Sequence, residues 1–337
     1  MLRLQGHDAA VQALESALRD DRLHHAQLIT GPAHVGKFRL AVQIAQAVNC
    51  LSDDDVPCSE CEACTRIAAG IHADVRVIRV DPEAAEGPKT AIGIDTIREL
   101  IASAHLRPYE GRTRVFVFDG ADAMTNDAAN ALLKVLEEPP PNVQLLLLAA
   151  SEDSVLPTVR SRCQHVELHP LPTARVAQIL TAEHGMGAEQ ADVVARLSRG
   201  CLGWAIEAAH DPAVLAGVHL SLERIAEVVE EGLEDRFRYA EQLARRFQRD
   251  RAAGREELYL WLRWLRDVLL VQQGQSEAVV NVSWRETIQR HAAALTPADT
   301  VRWLHLVTES IEVLDRNANP RLALDVMMLE SPPVRLS

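Results

Sequence analysis

The stretch Gly31-Pro32-Ala33-His34-Val35-Gly36-Lys37-Phe38 constrains this chain more than any other. An apolar run, Ala26 to Thr30, precedes it and an amphipathic run, Leu40 to Val48, follows it. Strand, glycine-rich loop, helix is the context in which G-x-x-x-x-G-K carries meaning. The N–H groups of such a loop, with a helix N-terminus behind them, make a concavity for anions. Gly31, Pro32, Gly36 and Lys37 are therefore the candidate phosphate-binding residues. The position after Lys37 ordinarily supplies a hydroxyl to Mg²⁺. Phe38 has no oxygen to offer.

A second nucleotide motif is expected further on. Arg114-Val115-Phe116-Val117-Phe118-Asp119 reads as a buried strand ending in a carboxylate, the form in which an Asp orders Mg²⁺. The next residue, commonly a Glu that activates water, is Gly120. Asp119 alone is weak evidence, since buried strands often end in a solvent-facing Asp.

Four of the six cysteines lie between Cys50 and Cys64, as Cys50, Cys58, Cys61 and Cys64. Overlapping C-x-x-C pairs deliver thiolates from tight turns, and four protein ligands close a tetrahedral structural Zn²⁺ site. The competing reading is four reduced cysteines in a loop, or a redox pair. The whole segment after the helix at 39–48 is expected to be a loop.

Charge limits the partners. The 337-residue chain has a formal net charge of −13, whereas a protein that holds nucleic acid by itself shows a basic surplus or stripe. A zinc-dependent nucleic-acid binder is disfavoured for that reason and by the acidic run Ser52-Asp53-Asp54-Asp55. No stretch has the apolar length of a membrane span, and the N-terminal residues show no signal-peptide core. A cytoplasmic protein is expected.

The remaining pattern alternates strand and helix up to about residue 169 and is helical afterwards. Strands are expected at 75–80, 144–150 and 165–168, and helices at 8–23, 94–105 and 126–138. The segment 81–90 reads as a loop. Pro170 and Pro172 mark a boundary. Helices follow at 174–184, 188–197 and 203–209, then long ones from about 214 to 317. Trp261, Trp264 and Leu265 fall at helical spacing and read as core.

These pieces together resemble the clamp-loader branch of the AAA+ ATPases. The resemblance rests on His25-Ala26-Gln27-Leu28 before the loop, the four-cysteine insert, and Ala128 to Pro139 (AANALLKVLEEP). It rests also on Leu156-Pro157-Thr158-Val159-Arg160-Ser161-Arg162-Cys163 and on Asn317 to Leu324. It implies an α/β AAA+ core with a five-stranded parallel sheet over 1–169, a small helical lid over 170–210 and an all-α collar over 211–337. It implies that the Arg of the Ser161-Arg162-Cys163 triplet, Arg162, reaches in trans onto ATP bound by a neighbouring subunit.

In the motor subunits of that branch a lid Arg senses the γ-phosphate; the matching position here is Gly203. Phe38, Gly120 and Gly203 all depart from the motor pattern, so ATP is expected to bind weakly or not at all. The resemblance implies a non-hydrolysing subunit of the DNA polymerase III clamp loader. Its partners would be tau/gamma ATPase subunits and delta, with the sliding clamp and primer-template DNA met through the assembled complex. The alternative is an active ATPase subunit of tau/gamma type.

Overall fold

The computed structural model describes residues 2–53, 55–80, 91–316 and 318–334. The loop expected at 81–90, Asp54 of the acidic run and Asn317 lie outside the described residues. The chain divides into two compact units, one of residues 1–175 and 199–204, the other of residues 176–198 and 205–337.

The first unit is built on a five-stranded parallel sheet. Its strands are β1 (Ala26–Thr30), β2 (Val75–Arg79), β3 (Arg114–Asp119), β4 (Val143–Ala149) and β5 (Gln164–Glu167), in the order β2-β3-β4-β1-β5. β1 and β4 are buried along their whole length, as strands covered on both faces must be. Register sets Leu28 beside Leu147 and Phe118 beside Leu147.

Side chains alternate between the faces with period two. On one face Leu28, Phe116, Phe118, Leu145 and Leu147 pack with Ile97 and Leu100 of α4 (Ile94–Ala104) and Leu132 of α5 (Asn126–Glu137). On the other, Ile29, Val115, Val117, Leu146 and Leu148 pack with Leu14 of α1 (Asp8–Arg19) and Leu40 and Ile44 of α2 (Lys37–Asn49). The edge strands β2 and β5 are the exposed ones.

The cysteine segment corrects one expectation. It is not all loop: Glu62–Ala68 forms α3, whose N-cap sulfur, Cys61, accepts from the Cys64 N–H. A cysteine standing in the usual place of Ser or Asp hid the cap. A one-turn helix, α6 (Pro157–Arg160), likewise precedes the Ser161-Arg162-Cys163 triplet.

Helices α7 (Thr173–His184), α8 (Ala188–Ser198) and α9 (Leu202–His210) come next. They are followed by α10 (Pro212–Glu230), α11 (Leu233–Arg249), α12 (Arg251–Gln272), α13 (Arg285–Ala294), α14 (Pro297–Asp315) and α15 (Pro320–Glu330). Trp261, Trp264 and Leu265 are core residues, as their spacing predicts. Trp261 and Trp303 stack with ring centroids 5.3 Å apart, and Trp261 donates its indole N–H to Tyr239 at 2.8 Å. Among the described residues no helix is long and apolar enough to cross a membrane.

Candidate functional site

The phosphate loop runs from the end of β1 into α2. Gly31 has φ +144°, and a Cβ there would stand 2.3 Å from the Leu168 carbonyl oxygen. The strand-to-loop turn thus needs glycine on two counts. Gly36, at φ +115°, is the residue before α2. Lys37 opens the helix, and its ammonium donates to the Gly31 carbonyl at 2.6 Å and the Pro32 carbonyl at 2.8 Å. Burial lowers the Lys37 pKa, while the carboxylates of Asp122 and Asp119 work to raise it. Asp119 therefore ends β3 within electrostatic reach of Lys37. Asp122 was not singled out from the sequence; its only signal is a position three residues past Asp119.

Each departure from the motor pattern has a structural counterpart. Phe38 is partly exposed, with the Arg79 guanidinium 5.7 Å from its ring centroid. An arginine at the end of β2 thus covers an aromatic ring where a hydroxyl would face a metal. Gly120 has φ +98°, a conformation that glutamate adopts only with strain. Gly203 donates its N–H to the His34 carbonyl at 2.8 Å, and a Cβ at Gly203 would meet that oxygen at 2.6 Å. An Arg at position 203 has no room while this hydrogen bond is made.

The Ser161-Arg162-Cys163 triplet follows α6. Arg162 pairs with Glu137, the last residue of α5, at 2.7 Å from Nη2 to Oε1. Its Nη1 donates to the Thr158 carbonyl at 2.9 Å and to Ser161 Oγ at 3.2 Å. Ser161 Oγ donates to the same Thr158 carbonyl at 3.1 Å. Cys163 turns the other way, packs on the α4–α5 face of the sheet, and has its thiol pushed up to about 12 by burial. The three neighbours thus divide into a polar pair and an anchor. Glu137 was not picked out from the sequence, because an acidic residue before Pro139 reads as a solvated helix end.

The cysteines converge. The sulfurs of Cys50, Cys58, Cys61 and Cys64 all lie within 4.8 Å of one another. Cys58 and Cys64 sulfurs are 4.0 Å apart. Four thiolates at about 2.3 Å from a tetrahedral Zn²⁺ would stand roughly 3.8 Å from each other, so the donor set fits the ion. The backbone prepares the sulfurs as acceptors: Cys58 N–H donates to Cys50 Sγ at 3.4 Å, Cys61 N–H to Cys58 Sγ at 3.3 Å and Cys64 N–H to Cys61 Sγ at 3.5 Å. Burial opposes ionisation of Cys61, but the N–H groups of Leu51 and Cys64 together with hydrogen bonds from the Cys58 and Cys64 thiols outweigh it and bring that thiol to about 6. Gln46 of α2 ties the module to the core by donating to the Cys64 carbonyl at 2.8 Å.

A five-stranded parallel sheet with a G-x-x-x-x-G-K loop after β1, a four-cysteine module following the loop's helix and an all-helical region make this an α/β protein with a helical C-terminal part. The family described as "DNA polymerase III, delta subunit" matches residues 6–172, and its C-terminal family matches residues 234–331. Together the two matches span most of the chain, which belongs to this DNA polymerase III delta subunit family.

It is 25% identical to the delta' subunit of Bacillus subtilis over 319 residues, covering 95% of this chain and 94% of that one. It is 41% identical to the delta' subunit of Pseudomonas aeruginosa over 165 residues, 48% of each chain. The tau/gamma subunit of Haemophilus influenzae is 34% identical over 184 residues, 53% of this chain. The chain spans only 26% of the length of that tau/gamma relative.

Proposed function

We propose that this chain is a non-hydrolysing subunit of the DNA polymerase III clamp loader, of delta-prime type, which helps place the sliding clamp on primed DNA during replication. The observation that carries the reading is the state of the phosphate loop. Lys37 is turned back onto the Gly31 and Pro32 carbonyls, Phe38 stands at the metal position, and Gly203 lies against the His34 carbonyl. A loop whose lysine bonds its own backbone offers phosphates one cation fewer, and with Phe38 in place of a hydroxyl and Gly120 in place of a Glu there is neither the hydroxyl that orders Mg²⁺ nor the Glu that activates a hydrolytic water.

In this reading the catalytic contribution is made to another subunit. Arg162 supplies its guanidinium to ATP held by a neighbouring ATPase subunit of tau/gamma type, where an arginine in trans stabilises charge on the transferring phosphoryl group by about 10³-fold or more in rate. Ser161 holds the guanidinium, and Cys163 anchors the turn in the core. Delta is the other protein partner, and the clamp and primer-template DNA are met through the assembled cytoplasmic complex.

The four cysteines hold one structural Zn²⁺. With no open ligand position, the ion fixes its module and does no chemistry.

The alternative, an active ATPase of tau/gamma type, draws on the 34% identity to the Haemophilus influenzae protein. One experiment separates the two. ATP binding and hydrolysis are measured on the purified chain with Mg²⁺, with and without primed DNA. No turnover is expected. Turnover abolished by Lys37→Ala would make the chain a motor subunit. In the reconstituted complex, Arg162→Ala is expected to leave assembly intact and lower the clamp- and DNA-stimulated ATPase by a margin that Lys37→Ala does not reproduce.

A further inference from the structure

We infer that Glu137 is a resident counter-ion for Arg162, one that competes at Nη2 with a phosphate on a neighbouring subunit; the inference rests on the in-trans role proposed above for Arg162.

Glu137 is oddly placed for a stability role. It ends α5 and is followed by Glu138, so two carboxylates sit at a helix C-terminus. The partial negative charge of the last carbonyls disfavours anions there. The placement is offset by Arg162, whose Nη2 lies 2.7 Å from Glu137 Oε1. Both side chains are accessible, with 36% of Arg162 and 50% of Glu137 exposed. An ion pair this exposed is weak enough to be exchanged.

The chemistry of the exchange is specific. A carboxylate and a phosphoryl group both present two oxygens to the planar fork of an arginine. Glu137 therefore occupies Nη2, one of the donors that a phosphate would take. A carboxylate held on Nη2 competes with an arriving phosphate for that donor and shields part of the positive charge the phosphate would meet. The Thr158 carbonyl and Ser161 Oγ bind Nη1, not Nη2. They keep the guanidinium near the end of α6 while Nη2 changes partner. Glu137 thus sets the threshold at which Arg162 engages ATP and takes no part in the chemical step.

The test is a double-mutant cycle in the reconstituted complex, reading the ATP dependence of its clamp- and DNA-stimulated ATPase. Glu137→Gln keeps the shape and removes the charge. It is expected to lower the KM for ATP about 2- to 5-fold, the range of an exposed ion pair, with kcat within about twofold. Glu138→Gln, which alters the neighbouring carboxylate, is the control and is expected to leave KM unchanged. Glu137→Gln added to Arg162→Ala is expected to change nothing further. The melting temperature of the isolated chain should stay level or rise, since a charge disfavoured by the helix end is removed; a fall in melting temperature with no change in KM would make Glu137 a structural residue and overturn the inference. An unchanged KM while Arg162→Ala lowers the rate overturns it too, as does an effect of Glu137→Gln that persists without Arg162. If Arg162→Ala itself has no effect, the in-trans reading fails, and the inference with it.

Discussion

Asp74 and Arg114 meet at 3.1 Å at the start of β2 and β3, with the carboxylate wholly buried. Asp74 also accepts the backbone N–H groups of Tyr109, Glu110 and Gly111 at 2.8 to 2.9 Å, so the loop entering β3 is folded around one side chain. Burial acts to raise its pKa, but the N–H groups of Glu110, Gly111 and Tyr109 and the Arg114 charge outweigh it and hold the carboxyl below its usual range. A depressed folded pKa contributes stability above the unfolded value of about 3.9 and loses it as pH falls through the folded value. Asp74→Asn is expected to cost about 1.5–3 kcal/mol at neutral pH. In urea unfolding across a pH series, the gap to the parent chain should be flat above about pH 5 and close below about pH 4. A gap independent of pH would mean that Asp74 acts without its charge.

Metal content is open to direct measurement. The purified chain is expected to carry one zinc, and Cys58→Ser to lose it and melt at lower temperature. Affinity should weaken on acidification, because thiolates must give up zinc as they take protons. Folded, reduced protein free of zinc would remove the assignment.

At the phosphate loop, Gly203→Ala places a methyl 2.6 Å from the His34 carbonyl oxygen. It should destabilise the chain by about 1–3 kcal/mol, the usual cost of overpacking. Gly217 in α10 has nothing within 4 Å of its Cβ position. Gly217→Ala should therefore stabilise by roughly 0.5–1 kcal/mol through helix propensity alone. Thermal unfolding of the pair reads the contrast; two shifts of one sign would refute it.

In the helical region Tyr239 lies between two polar groups. Its hydroxyl donates to Glu257 at 3.0 Å and accepts the Trp261 indole N–H at 2.8 Å. Glu257 is also held by Ser221 at 2.7 Å and Arg246 at 2.9 Å. Tyr239→Phe leaves the indole N–H buried without a partner, and should cost about 1–3 kcal/mol in chemical unfolding.

Periodicity and apolar runs located the five strands and the long helices to within a few residues, because burial on both faces of the sheet leaves unbroken runs such as Leu145 to Leu148. The cysteines were legible by spacing alone. What stayed hidden was carried by single polar side chains acting across the fold. Asp74 is one aspartate before a strand, and nothing near it in sequence announces the loop 35 residues on. Glu137 is one more acid beside a proline. Gly203 could be read as a missing arginine, but only the backbone of the phosphate loop shows why a side chain has no place there.

That last contact sets what a side-chain replacement alone can do at these positions. Where a side chain is missing and its space is empty, one substitution can supply it. At Gly203 the space is filled by the His34 carbonyl, and at Gly120 the backbone sits at φ +98°. Restoring the motor pattern would therefore take more than three side-chain replacements: an Arg at position 203 needs the His34 carbonyl to move, and a Glu at position 120 must accept a strained backbone.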